Sequence, residues 1–270
     1  MVLSSVLIVI LGISAADKLQ AEDFDQRLAL GLSLSSFEYE ETNNETLLNS
    51  ESGQINGGLL EWRLDKQPFF FAFEISADHG TVDYDGLTQN GNFVETRSTY
   101  LRKKFQLEAG RIYRLSEKWL LSPTLQIGYN DWTRRIRAVS NINGLREEYR
   151  YWFAKFGATI EYSLPAKQNI RLTALAQQPI DAEITVEFEN DLDTTVLNMD
   201  EKTGFSLALA WNIPITRSLD IETELFYTLQ KFGRSDEDQL SRNGTPVGTV
   251  FSPDNETTTA GASITVSKQF

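Results

Sequence analysis

The chain has no cysteine and a single histidine, and beyond its first dozen or so residues it has no apolar run long enough to cross a bilayer as a helix. Without cysteine there are no disulfide staples, so stability has to come from backbone hydrogen bonds and burial. One histidine cannot serve a Ser-His-Asp triad and a metal site together. A phosphate-cradling glycine loop and a Gly-x-Ser-x-Gly elbow are also missing, and nothing in the residues calls for a cofactor or a metal. Positive charge is scarce: 25 Lys and Arg face 38 Asp and Glu, a formal net charge of −13. That balance argues against nucleic acid, whose phosphates require basic patches.

At 270 residues the chain could form one large domain or two small ones, and its hydrophobic content of 41% is low for a helical membrane protein. A β-barrel reconciles such a composition with a membrane, because only alternate strand residues face lipid. Residues 2–13 are apolar and run into Ser14-Ala15-Ala16 and then Asp17-Lys18. This fits the apolar core and small-residue cleavage site of a signal peptide over 1–16, although no Lys or Arg precedes the run. Residues 17–26 would then form a periplasmic segment and 27–270 the folded unit.

From residue 27 the apolar period is two. Leu28, Leu30, Leu32 and Leu34 alternate with small residues, and Phe69, Phe71, Phe73 and Ile75 with Phe70, Ala72 and Glu74. Trp152, Ala154, Phe156, Ala158 and Ile160 oppose Phe153, Lys155, Gly157 and Thr159. Ten such segments can be counted. Four connections between them are tight, at 65–68, 115–118, 164–169 and 214–218. They alternate with five long polar ones, at 40–54, 78–97, 139–147, 178–203 and 233–257. Short turns on one side and long loops on the other predict an all-β fold: one closed antiparallel transmembrane barrel with the short turns in the periplasm.

The last segment runs Ala260-Gly-Ala-Ser-Ile-Thr-Val-Ser-Lys-Gln-Phe270. An alternating strand that stops on an aromatic residue resembles the ending of bacterial outer membrane β-barrels. The resemblance implies a Gram-negative outer membrane, contact with its lipid and lipopolysaccharide, a monomer, and Phe270 as the signal read by the barrel assembly machinery. Lys268 departs from the apolar residue expected on the lipid face.

Charges inside the strands fall mostly on the parity opposite to the apolar residues. Glu61, Glu74, Glu108, Glu161, Glu222 and Glu224 are expected inside with Arg63, Arg102, Lys104, Lys155 and Arg171, nearly balanced. A ten-stranded barrel is narrow, so these charges are expected to plug the lumen by pairing. A narrow cation-preferring pore is the alternative.

His79 sits in the second long connection with two carboxylates, Asp83 and Asp85, whose spacing puts them on one face of a strand about 7 Å apart. Ten strands with Val82-Asp-Tyr-Asp85 near the top of the wall are similar to the omptin family of outer membrane proteases. That resemblance implies hydrolysis at the barrel mouth by this Asp pair and an opposed Asp–His pair. Residues 181–193, where the family's histidine belongs, contain none. In the same stretch Ile180, Ala182, Ile184, Val186 and Phe188 continue the even parity of Ile170 to Ala176. The alternation predicts a tall hairpin with an acidic inner face of Asp181, Glu183, Thr185, Glu187 and Glu189. A non-enzymatic structural or surface-interaction role is the reading favoured from the residues.

Overall fold

In lipid every backbone N–H and C=O needs a partner within the protein, and a sheet satisfies this only by closing on itself. The computed structural model describes residues 25–87, 91–139, 142–189 and 192–270, and they close in this way. The order is β1 (Asp25–Asn43), β2 (Thr46–Lys66), β3 (Phe69–Leu87), β4 (Phe93–Arg111), the two-residue β5 (Tyr113–Arg114), β6 (Trp119–Ile136), β7 (Leu145–Ser163), β8 (Asn169–Phe188), β9 (Thr195–Asn198), β10 (Asp200–Pro214), β11 (Leu219–Gly233), β12 (Asp238–Arg242), β13 (Thr245–Val250) and β14 (Asp254–Gln269). Ten of these are staves of one antiparallel barrel: β1, β2, β3, β4, β6, β7, β8, β10, β11 and β14. The last stave, β14, pairs with β1 from Arg27↔Gln269 to Thr42↔Asp254 and closes the ring. Strand β9 adds to β8, and β12 and β13 form a separate hairpin. The expected signal peptide, residues 1–16, lies outside the described residues.

The outer wall carries an apolar belt of Leu32, Leu34, Phe71, Leu107, Leu125, Phe156, Leu172, Leu225 and Ile264, all exposed. Aromatic rings mark its two edges. Phe105, Tyr129 and Trp152 lie side by side across β4, β6 and β7, with centroids 5.3–5.7 Å from the Trp152 ring. Trp119 and Tyr162 meet at 4.7 Å near the short-turn end. On β6 the two girdles, Trp119 and Tyr129, are ten residues apart, the length a tilted strand needs to cross a bilayer.

The staves are longer than that. Strands of 19–21 residues such as β1, β2 and β3 stand roughly 45–50 Å tall at a tilt near 40°, against an apolar band of about 25 Å. Much of what the polar composition marks as long loops is therefore ladder. Residues 40–54 form the top of the β1–β2 hairpin, which turns in two residues, Asn44 and Glu45, both at positive φ. Such left-handed pairs match the twist of hairpin strands. Outward side chains above the lipid face water, so polarity there marks solvent and not the end of the strand.

Above the belt the amphipathic sense inverts. In β1 the outward residues change from Leu28–Leu34 to Ser36, Glu38 and Glu40, while Phe37 and Tyr39 turn inward and are fully buried. Strand β8 reaches the same result differently. Its register against β7 slips between Arg150↔Glu183 and Trp152↔Ile180, so β8 holds one residue more, and Asp181 sits at φ 52°. That bulge flips every later side chain to the other face. Ala182, Ile184 and Val186 consequently point inward and are buried, while Asp181 and Glu183 are exposed outside. The acidic inner face expected for this hairpin is thereby corrected: it is the outer face.

Candidate functional site

The barrel interior divides into two storeys. The lower, within the lipid belt, is a chamber of about 420 Å³. All eleven residues proposed for the lumen charge network line it: Glu61, Arg63, Glu74, Arg102, Lys104, Glu108, Lys155, Glu161, Arg171, Glu222 and Glu224. Arg27 and Asp78, which the alternation also places inside, line it with them. Most of these charges are paired. Arg27 reaches Glu61 at 2.7 Å, Lys104 reaches Glu74 at 2.8 Å, Arg102 reaches Asp78 at 3.1 Å, and Arg171 pairs with Glu222. Arg63 forks onto Asp65. Glu108 accepts from Gln126 at 3.0 Å, and the Lys155 ammonium lies 5.1 Å over the Phe153 ring. Arg27, Arg63, Glu161 and Arg171 also border a smaller cavity of about 170 Å³ toward the short-turn end.

The upper storey is packed solid. Phe37, Tyr39, Tyr100, Trp132, Tyr149 and Phe153 are 0–2% exposed and belong to one core cluster. Trp132 stacks between Tyr149 (4.5 Å, 21°) and Tyr100 (5.7 Å, 30°), and with Tyr151 it caps the chamber beneath. The ring of Phe153 lies over Gly128, where any Cβ would collide with it. Tyr39 of β1 and Tyr149 of β7, on opposite walls of a ten-stave ring, bring their hydroxyls to 2.9 Å.

Set in this core is Arg134, whose side chain is 1% exposed. Its guanidinium serves three carboxylates from three strands. Nη1 donates to Glu41 and to Glu147 at 2.7 Å each, and Nε donates to Glu51 at 2.8 Å, with Nη2 also on Glu51. The carboxylates have further partners: Glu41 accepts from Tyr39 at 2.6 Å and Asn49 at 2.5 Å, Glu51 accepts from Tyr100 at 2.6 Å, and the Tyr149 hydroxyl lies 3.1 Å from Glu147. The Tyr39 ring lies 4.3 Å beneath the guanidinium. Burial opposes the Arg134 charge, but Glu147 and Glu51 outweigh it and hold its pKa well above the usual value. Burial also pushes the tyrosine hydroxyls up, to about 12 at Tyr84, so they keep their protons. None of this cluster figured among the candidate residues, because Glu41, Glu51 and Glu147 fall in segments that read as loops. The available signal was the inward parity Phe37-x-Tyr39-x-Glu41, which continues the strand past the lipid.

The hydrolytic candidates are not assembled into a site. His79, Asp83 and Asp85 share the exposed outer parity of β3, while Val82, Tyr84 and Gly86 face inward. Asp83 meets Arg97 of β4 at 3.5 Å in full solvent. An Asp pair on the outer wall cannot oppose a partner across the mouth, as barrel-mouth water activation requires.

No family model matches the chain, and no curated protein sequence matches it. Among solved structures, the outer membrane protease OmpT of Escherichia coli superposes with a TM-score of 0.61 at 11% identity, over 93% of this chain and 98% of that one. The translocator domain of the autotransporter NalP of Neisseria meningitidis aligns over 99% and 97% at 8% identity, with a TM-score of 0.44. At such identities the likeness is one of fold. The superposition on the outer membrane protease, with the apolar belt and its girdles, defines the class: a closed ten-stranded transmembrane β-barrel.

Proposed function

We propose that this chain is a non-enzymatic outer membrane barrel, a closed pillar whose extracellular wall is its working surface. The observation that carries the reading is the aromatic storey, which fills the barrel from β1 to β7 around the Tyr39–Tyr149 contact. A porin leaves its lumen open to water, and about sixteen strands are needed for that. The lumen charges serve as internal struts of the lower storey, and the upper storey closes the path. Purified protein in planar bilayers is expected to give flat current traces. Discrete cation-selective steps would replace this reading with the narrow pore.

The remaining assignments follow from the same reading. Residues 1–16 act as a secretory signal, residues 17–24 precede the barrel in the periplasm with Asp25 and Gln26 opening β1, and the monomer is delivered through recognition of Phe270 by the assembly machinery. In support of a seat among outer-leaflet headgroups, Lys103 and Arg150 face outward two residues above the Phe105–Tyr129–Trp152 girdle. Cleavage of a basic peptide by the folded protein, lost in Asp83→Ala, would restore the hydrolase reading.

A further inference from the structure

The Arg134 cluster contains one more oxygen–oxygen contact than it has hydrogens to fill. Tyr39 Oη lies 2.6 Å from Glu41, Tyr149 Oη lies 3.1 Å from Glu147, and the two hydroxyls lie 2.9 Å from each other. Two phenolic hydrogens cannot fill three contacts. Three glutamates around one arginine also leave a formal charge of −2 in a closed core, which desolvation strongly disfavours.

We infer that one proton, seated on the Glu147 carboxyl, completes a hydrogen-bond chain from Glu147 through Tyr149 and Tyr39 to Glu41 and locks the two opposite walls of the extracellular storey together. With it each contact holds one hydrogen: Glu147 donates to Tyr149, Tyr149 to Tyr39, and Tyr39 to Glu41. The cluster charge falls to −1.

Glu147 is the natural seat. Both oxygens of Glu41 and of Glu51 are taken up by protein donors, whereas Glu147 meets Arg134 and Tyr149 through Oε2 alone, so a hydrogen on Oε2 can turn to Tyr149 while a lone pair of the same oxygen still accepts from Arg134. Its side chain keeps 9% exposure, a route for the proton to water. Burial raises its pKa, Arg134 opposes, and Glu41 adds to the rise. The titratable and charged groups that face it are Tyr39 and Glu41 from β1, Glu51 from β2, Tyr84 from β3, Tyr100 from β4, Arg134 from β6 and Tyr149 from β7. The inward residues of β8, Ile184 and Val186, are apolar.

A carboxyl whose folded pKa is raised stabilises the fold fully below its unfolded pKa, and this contribution is lost as pH rises through the folded value. The lock is therefore tight at low pH and releases as pH rises through the folded value. It rests on the reading of the upper storey as a closed plug, yet it is read by stability and not by conductance, so either can fail alone. The test is amide hydrogen exchange of the upper halves of β1, β2, β6 and β7 in bilayers, comparing wild type with Glu147→Gln at each pH so that base catalysis cancels. The glutamine amide donates as the protonated acid does. Exchange in wild type is expected to accelerate relative to the variant by about tenfold per pH unit above the transition. Tyr149→Phe, which cuts the chain, should move the transition to lower pH, and it carries the test if the glutamine variant does not refold. A wild-type-to-variant ratio that stays flat with pH, or a transition unmoved in Tyr149→Phe, overturns the proposal.

Discussion

The two storeys of this barrel handle buried charge in opposite ways. In the lower one, charges of both signs are spread around a polar chamber and satisfied in separate pairs, such as Lys104 with Glu74 and Arg102 with Asp78. In the upper one, a single arginine is enclosed by aromatic rings and shared among three glutamates. The surroundings explain the contrast. Inside the lipid belt the outer wall is already apolar, so the polar residues must go inward and need water or partners there. Above the belt the outer wall is wetted, so the interior becomes the place to bury Phe37, Tyr39, Trp132 and Phe153. The lower storey resembles an inverted protein and the upper one an ordinary soluble core stacked on it. Charge is cheap to rearrange in the first and costly to disturb in the second.

That contrast can be tested by breaking one partner in each storey. Arg134→Ala leaves three carboxylates in the core without their cation, a loss of about 3–5 kcal/mol, to be read in denaturant unfolding from bilayers. The hairpin tops of β1–β2 and β6–β7 should lose exchange protection first. Lys104→Met strands Glu74 beside a polar chamber of about 420 Å³, roomy enough for water, so about 1.5 kcal/mol is expected, the lower end for a hydrogen bond to a charged group. Equal losses at the two sites would show that the lower chamber is as dry as the plug. The smallest effect belongs outside: Asp83→Ala removes an exposed pair with Arg97 and should change stability by less than about 0.5 kcal/mol. A larger change there, or an effect on peptide cleavage, would mean that the outer wall of β3 does more than meet solvent.

The period-two alternation makes the barrel readable from the residues alone. A lipid-facing strand must alternate, and the four tight turns fall between staves. The eleven lumen charges are readable for the same reason, since inside a lipid belt parity and direction are one fact. Above the belt that equivalence ends. In β1 the apolar parity changes from Leu34 to Phe37 with no break in the strand, whereas in β8 it stays even from Ile170 to Val186 because the Asp181 bulge turns the strand over. Identical alternation thus carries opposite meanings, and a reading by parity puts the acids of β8 on the wrong side.

Composition and alternation by themselves determined a closed transmembrane barrel and which residues line its lower lumen, because lipid imposes a strict rule on every second residue. Only the tertiary structure decided that the upper half is a core, that Glu41, Glu51 and Glu147 meet on Arg134, and that His79, Asp83 and Asp85 look outward. Those facts depend on register, on one extra residue in β8, and on contacts between strands that are distant in the chain and opposite in the ring.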